Sequence, residues 1–182
     1  MSVPDGDIEV IGAQLGRRPR GVRAVAFRCP CGLPCVIETQ PRLDDGTPFP
    51  TLYYLTCPKA IAAIGALEAG GQMRRMTERL ASDAGLRASY LTAHRDYLER
   101  RNSAARAAGV EPLPVGTQSA GGMPERVKCL HALAAHELAA PGKNPFGRET
   151  LAAVGEWWGD GRCVAPSPDQ SPDQSPAHKE KG

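Results

Sequence analysis

The pattern of hydrophobic and polar residues differs between two parts of the chain. Between residues 22 and 56, three short segments are rich in β-branched or aromatic residues and are separated by turn formers: VRAVAF (22–27), CVIET (35–39) and TLYYLT (51–56). From Pro58 onward, apolar residues recur at helical spacing. Strands followed by a run of helices predict an α+β fold, with a small three-stranded antiparallel sheet packed against about five helices.

The helical segments carry start and stop signals of their own. A short amphipathic helix is expected around Ile8, Ile11 and Leu15, ahead of the sheet. After the sheet, PKAIAAIGALEAGG, MRRMTERL, GLRASYLTAHRDYLERR, RVKCLHALAAHELA (126–139) and a segment from Arg148 to Trp158 are each expected to be helical. In the third of these, the pattern places Tyr90, His94 and Tyr97 on one face.

The C-terminal end differs in composition from the rest of the chain. From Pro166 the sequence PSPDQSPDQSPAHKEKG repeats Ser-Pro-Asp-Gln and offers no large apolar residue to bury. Such a segment cannot offset its ordering entropy. We therefore expect one globular domain over residues 1–163 and a disordered tail over 164–182.

Composition and charge give expectations for the partners and the cellular location of the protein. The chain has 182 residues and a net charge of only +2, which gives no general argument for nucleic-acid binding. It has no apolar run of membrane-spanning length, and acids stand where a signal peptide would be basic. We expect a cytoplasmic protein without a membrane partner, whose six cysteines stay reduced.

Reduced cysteines point to metal binding, reactivity or packing. One candidate is a zinc site formed by Cys29, Cys57, Cys129 and His136, which would supply four sulfur or nitrogen ligands. Cys57 precedes a predicted helix start, where the dipole would stabilise a thiolate, and His94 or His136 could act as its base. The alternative is that Cys57 caps the helix and that Cys129 and His136 are core residues.

Two further residues of the 126–139 segment receive expectations from helical geometry. His131 falls on the side away from Cys129 and His136, so it is predicted to face solvent. Glu137 falls on the apolar stripe and needs a partner, either a cation such as Arg126 or a place at a pocket wall.

The segment SAGGMPERVK suggests an anion site. A Gly-rich loop running into a helix can present backbone N–H groups and positive charge to a phosphate or carboxylate. Gly121, Gly122, Arg126 and Lys128 would form it, although the spacing is not that of a P-loop. The alternative is an ordinary flexible turn before a helix.

Several long motifs in order carry a resemblance to a known family. LGRRPRGVRAVAFRCP, DGTPFPTLYYLTCP, AHRDYLERR and GGMPERVKCLHALAAHELA together resemble the bacterial, mainly actinobacterial, domain-of-unknown-function family number 501 over most of residues 8–158. The resemblance implies no chemistry, because the family is uncharacterised. It implies a link to cell division only through gene neighbours, a septum-formation initiator and an exopolyphosphatase.

Two functions of different class follow. The first is a non-catalytic binding or scaffold protein that takes an anionic small molecule or a protein partner in a cleft near Arg126 and Lys128. The second is a metal-binding protein or cysteine-dependent enzyme that uses Cys57, Cys129, His94 and His136, with zinc as the expected metal.

Overall fold

The computed structural model describes residues 3–114, 116 and 118–165. In chain order the elements are α1 (Asp5–Leu15), β1 (Val22–Arg28), β2 (Pro34–Thr39), β3 (Tyr53–Leu55), α2 (Pro58–Ala69), α3 (Gln72–Ser82), α4 (Ala84–Ala107), α5 (Leu130–Ala139) and α6 (Pro145–Val154). A 3-10 turn, Ala120–Gly122, lies between α4 and α5. The predicted α+β fold is confirmed, with six α-helices in these ranges.

The three strands form one antiparallel sheet in the order β1-β2-β3. Val25 pairs with Ile37, and Ile37 pairs with Tyr54 on the other side. The central strand β2 is the most buried of the three, because it has a neighbour on each edge. Helix α5 contacts all three strands and also packs against α2 and α6, so it lies at the centre of the core.

Helix starts follow from local side-chain chemistry. Pro58 opens α2, where its missing N–H costs nothing. The Asp83 carboxylate accepts the Leu86 N–H at 2.8 Å and caps α4. Asn144 caps α6 in the same way, ahead of Pro145.

The buried face of α4 agrees with its helical pattern. Tyr90, His94 and Tyr97 are all buried, and the Tyr97 hydroxyl accepts the Leu52 N–H at 2.7 Å. This bond ties α4 to the chain just before β3 and satisfies a polar group that would otherwise be costly to bury.

Helix α5 is shorter than the pattern of 126–139 predicts, since it begins at Leu130. Residues 126–128 precede it as non-helical chain. Their N–H groups go to the carbonyls of Gly121 and Gly122 and to the Thr77 hydroxyl. These bonds fix residues 126–128 in the non-helical conformation that precedes α5.

Two other expectations differ from the structure or lie outside it. The last helix begins at Pro145 and ends at Val154, earlier than the predicted segment 148–158. Most of the predicted tail, residues 166–182, lies outside the described residues. Within the described ranges, no helix combines the length and apolar character needed to cross a membrane.

Candidate metal centre

Three ligand types meet where the end of α2 faces the start of α5. Glu68 lies in the last turn of α2, Cys129 is the N-cap residue of α5, and His131 lies in the first turn of α5. A carboxylate oxygen, a sulfur and a ring nitrogen from these residues all lie within 4.8 Å of one another. The Glu68 and His131 side chains are 23% and 26% exposed, so solvent reaches the group.

His131 is held by both ring nitrogens. Nε2 lies 3.1 Å from the Ile61 carbonyl oxygen, and Nδ1 lies 3.1 Å from Glu68 Oε1. The neighbouring Cys129 side chain, and then the Ile61 carbonyl and Glu68, raise the pKa of His131 to about 9 against the opposing effect of burial. These surroundings favour positive charge at this point of the structure.

Glu68 links the two helices. Its Oε1 accepts the Leu130 N–H at 2.7 Å, in addition to its contact with His131. Leu130 is the first residue of α5, so this carboxylate satisfies a free donor at the helix start and complements the helix dipole. The Glu68 carboxylate therefore supplies the negative charge at the N-terminus of α5.

A cavity of about 310 Å³ adjoins the group. Cys129 and His131 contribute to its wall, beside Ile61 and residues of β3 and its approach that include Tyr53 and Tyr54. The wall is mostly apolar with a few polar groups, which is the usual composition of small-molecule sites.

The four residues of the zinc site predicted from sequence lie in three separate places. Cys129 belongs to the group with Glu68 and His131. Cys29 and Cys57 lie near one another in a separate group of thiols. His136 bonds to neither group, so the four predicted ligands do not share one centre. The physical reason is that Cys129 ends an extended segment, so it does not share a helical face with His136.

His136 occupies a structural network in the core. The Asn144 amide lies 3.3 Å from Nδ1, and Asp96 Oδ2 lies 3.0 Å from Nε2. Because the Asn144 oxygen already accepts a backbone N–H from α6, its NH₂ group donates to Nδ1, and the proton of the neutral ring sits on Nε2. Burial lowers the pKa of His136, and Tyr53 stacks on its ring at a centroid distance of 6.0 Å.

The second predicted site is a Cys57 nucleophile with a histidine base, and the structure shows the surroundings of each residue. The Cys35 thiol, and then the N–H groups of Ala60 and Lys59, lower the pKa of Cys57 to about 6 although the residue is buried. His94 directs Nδ1 to the Ser119 hydroxyl at 2.8 Å. The hydrogen bonds of both candidate bases, His94 and His136, therefore go to other groups.

The predicted anion site has a different local structure from the one expected. Arg126 and Lys128 precede α5 and do not lie in its first turns, although both are exposed and lie beside Gly122. Gly121 and Gly122 have φ values of 67° and 88°, and a Cβ on Gly121 would overlap the Leu133 side chain. Backbone conformation and packing account for both glycines, while anion binding stays a prediction.

Two expectations for α5 side chains are wrong. His131 was expected to face solvent, but α2 covers that side of α5 and contributes two of its contacts. Glu137 was expected to meet Arg126 or a pocket, but its two oxygens accept the N–H groups of Gly142 and Asn144 at 2.7 Å each. It closes the turn between α5 and α6.

Sequence reasoning missed Glu68 and His131 as site residues. One usable signal was the position of Glu68, because an acid in the last turn of a helix opposes the helix dipole and needs a partner elsewhere. The other was the spacing of Cys129 and His131, two residues apart at a predicted helix.

Comparisons with known proteins give a family and no function. The search of curated proteins and the search of solved structures both found no match. One family model matches residues 25–152, which include Glu68, Cys129 and His131. The chain therefore belongs to the family described as "Protein of unknown function (DUF501)".

Proposed function

We propose that the protein binds a divalent, thiophilic metal ion through Glu68, Cys129 and His131, and that zinc is the ion that fits best. The observation that carries the proposal is the approach of their three ligand atoms to within 4.8 Å. Carboxylate oxygen, thiolate sulfur and imidazole nitrogen are the protein ligand types of zinc. The softer thiolate disfavours magnesium and calcium, which take oxygen ligands.

The spacing of the three ligand atoms suits such an ion after a small contraction. Zinc bonds of about 2.0–2.3 Å in a tetrahedral arrangement place neighbouring ligand atoms roughly 3.5 Å apart. Rotation of partly exposed side chains can supply a shift of roughly an ångström. Each ligand thiol or imidazolium would release its proton as the bond to the metal forms.

The surroundings of His131 support the proposal. Metal-binding histidines usually donate their second ring N–H to a carbonyl or carboxylate, which fixes the ring. The Ile61 carbonyl oxygen, 3.1 Å from Nε2, has this position and leaves Nδ1 directed toward Glu68. The groups that favour a proton on this ring also favour a metal cation.

The cavity supports an open coordination position. Zinc sites with three protein ligands and an open fourth position are typical of catalysis, whereas structural sites are closed by four ligands. Cys129 and His131 line a cavity of about 310 Å³ that can admit water or a small polar molecule. A bound ion would supply Lewis-acid polarisation or an activated water there.

Zinc content of site variants tests the proposal. The full-length protein is stripped with a chelator under reducing conditions, reloaded, and assayed for bound zinc per chain. Glu68→Gln and His131→Gln are each expected to bind one zinc fewer than the wild type. The matched controls Glu78→Gln, in an exposed pair, and His94→Gln, beside Ser119, are expected to keep the wild-type content.

A measurement on the unaltered chain guards against variants that do not fold. Zinc is expected to protect Cys129 from alkylation by iodoacetamide, as read by peptide mass spectrometry. Equal zinc content in the variants and wild type, together with no protection of Cys129, would contradict the proposal. The group would then be an ion pair that caps α5.

A further inference from the structure

Another cavity lies against the face of the sheet that is turned away from α5. Side chains of a strand alternate between the two faces of a sheet. Tyr53 and Leu55 of β3 belong to the core cluster that includes α5. Ile37, which pairs with Tyr54, is 3% exposed but is not part of that cluster. The cavity on this side, the outer cavity, has a volume of about 280 Å³ and is bounded in the sheet by Ile37, Thr39 and Tyr54.

The end of α1 and the connection between β2 and β3 close the outer cavity. Leu15, the last residue of α1, forms one side of the wall. Leu43 and Phe49 of the connection form another side. The Phe49 N–H donates to the Pro41 carbonyl at 2.9 Å, which holds the connection in place. The wall is mostly apolar, and the volume of the cavity is close to the lower limit of about 300 Å³ for small-molecule sites.

The charged residues of the wall are two arginines. Arg17 and Arg20 line the outer cavity, and the described residues that line it include no carboxylate. Gly16 ends α1 with a φ of 65°, a left-handed conformation that glycine adopts easily. The Gly21 carbonyl then accepts the Gln40 N–H at 2.7 Å, which fixes the segment between α1 and β1 beside the end of β2. Both guanidinium groups are thereby held next to the apolar wall.

We infer that the outer cavity binds a small monocarboxylic acid whose apolar body is about the size of a single ring. The guanidinium groups of Arg17 and Arg20 can bind a carboxylate through paired N–H donors. The apolar body would lie among Leu15, Ile37 and Phe49, where its removal from water favours binding. This site does not depend on the proposed zinc site at Glu68.

The local charge favours a singly charged ligand. Arg20 Nη2 lies 3.4 Å from Asp45 Oδ2, and because the two side chains are 64% and 56% exposed, solvent weakens this pair. Together with Arg17, these groups leave one net positive charge beside the cavity. A carboxylate matches that charge. A phosphate monoester carries about −1.5 to −2 at pH 7 and would leave negative charge against an apolar wall.

Tyr54 borders the outer cavity and also the cavity beside the candidate metal centre. It lines the first together with Ile37, and the second together with Cys129 and His131. A carboxylate could also coordinate a zinc ion held at the metal centre. Binding to the outer cavity is therefore measured on protein from which metal has been removed.

An NMR titration of the full-length, chelator-treated protein with phenylacetate tests the inference. Saturable shifts of backbone amide signals are expected around Arg17, Ile37 and Phe49, with a Kd of about 1 mM or tighter. Phenylacetamide, which has the same ring but no charge, is expected to bind at least about tenfold more weakly, because it forms no charged hydrogen bonds with the arginines. The absence of saturable shifts, shifts that cluster at Cys129 and His131, or equal Kd values for the two compounds would overturn the inference.

Variants test the role of the two arginines. Arg17→Gln combined with Arg20→Gln is expected to raise the Kd for phenylacetate about tenfold or more. Arg18→Gln is the matched control, because Arg18 is exposed and does not line the outer cavity. His131→Gln is expected to keep the wild-type Kd, so this site and the proposed zinc site fail independently. A wild-type Kd in the double arginine variant would contradict the inference, and the titration of the unaltered chain decides it if that variant does not fold.

Discussion

Glu137 offers a sharp test of the packing between α5 and α6. Its side chain is 7% exposed, and its two oxygens accept the N–H groups of Gly142 and Asn144 at 2.7 Å each. A hydrogen bond to a charged acceptor contributes about 1.5–3 kcal/mol, and an orphaned buried donor costs about as much. Gln keeps the shape but can accept only one of the two bonds. We therefore expect Glu137→Gln to lower the free energy of unfolding by about 2–4 kcal/mol.

Urea denaturation followed by circular dichroism measures this loss as a lower midpoint with an unchanged slope. Glu78→Gln is the matched control, because Glu78 pairs with Arg74 at 3.8 Å and its side chain is 68% exposed. Its loss should stay within about 0.5 kcal/mol. Equal midpoints for the two variants would refute the assignment of a structural role to the Glu137 carboxylate.

Two other predictions concern close packing and protonation. Gly147→Ala should destabilise the fold, because the new Cβ would overlap the Leu133 carbonyl. Gly65→Ala, in α2, should stabilise the fold by about 0.5–1 kcal/mol, because the space at its Cβ position is open. Thermal unfolding compares the two variants. His136 should titrate below its ordinary pKa of 6.5 by ¹⁵N NMR, because burial outweighs the opposing pull of Asp96. As the pH falls, His136 in the unfolded chain is protonated before His136 in the folded protein. The stability contributed by the neutral ring is therefore lost as the pH falls below 6.5. A measured pKa of His136 at or above 6.5 would contradict this prediction.

The fold could be predicted from sequence because its signals are local. Turn formers separate the strands, Pro58 and Pro145 open helices, and the buried face of α4 follows helical spacing. The start of α5 could not be predicted in this way. Its apolar pattern continues back to residue 126, but hydrogen bonds to a loop and to Thr77 hold residues 126–128 outside the helix.

The candidate sites depend on contacts that the local pattern does not encode. Glu68 and His131 are 63 residues apart, and α2 covers the side of α5 that spacing assigns to solvent. Cys129 was singled out from sequence as a ligand candidate, but Glu68 and His131 were not placed beside it, because the choice among six cysteines and four histidines needs the tertiary fold.

Crystals of the zinc-loaded protein, measured at the zinc absorption edge, test the central claim most directly. An anomalous peak is expected about 2.3 Å from Cys129 Sγ and about 2.1 Å from a His131 ring nitrogen, with a Glu68 oxygen as the third ligand. A zinc-loaded crystal in which Cys129 and His131 show no anomalous peak between them would contradict the proposed metal site.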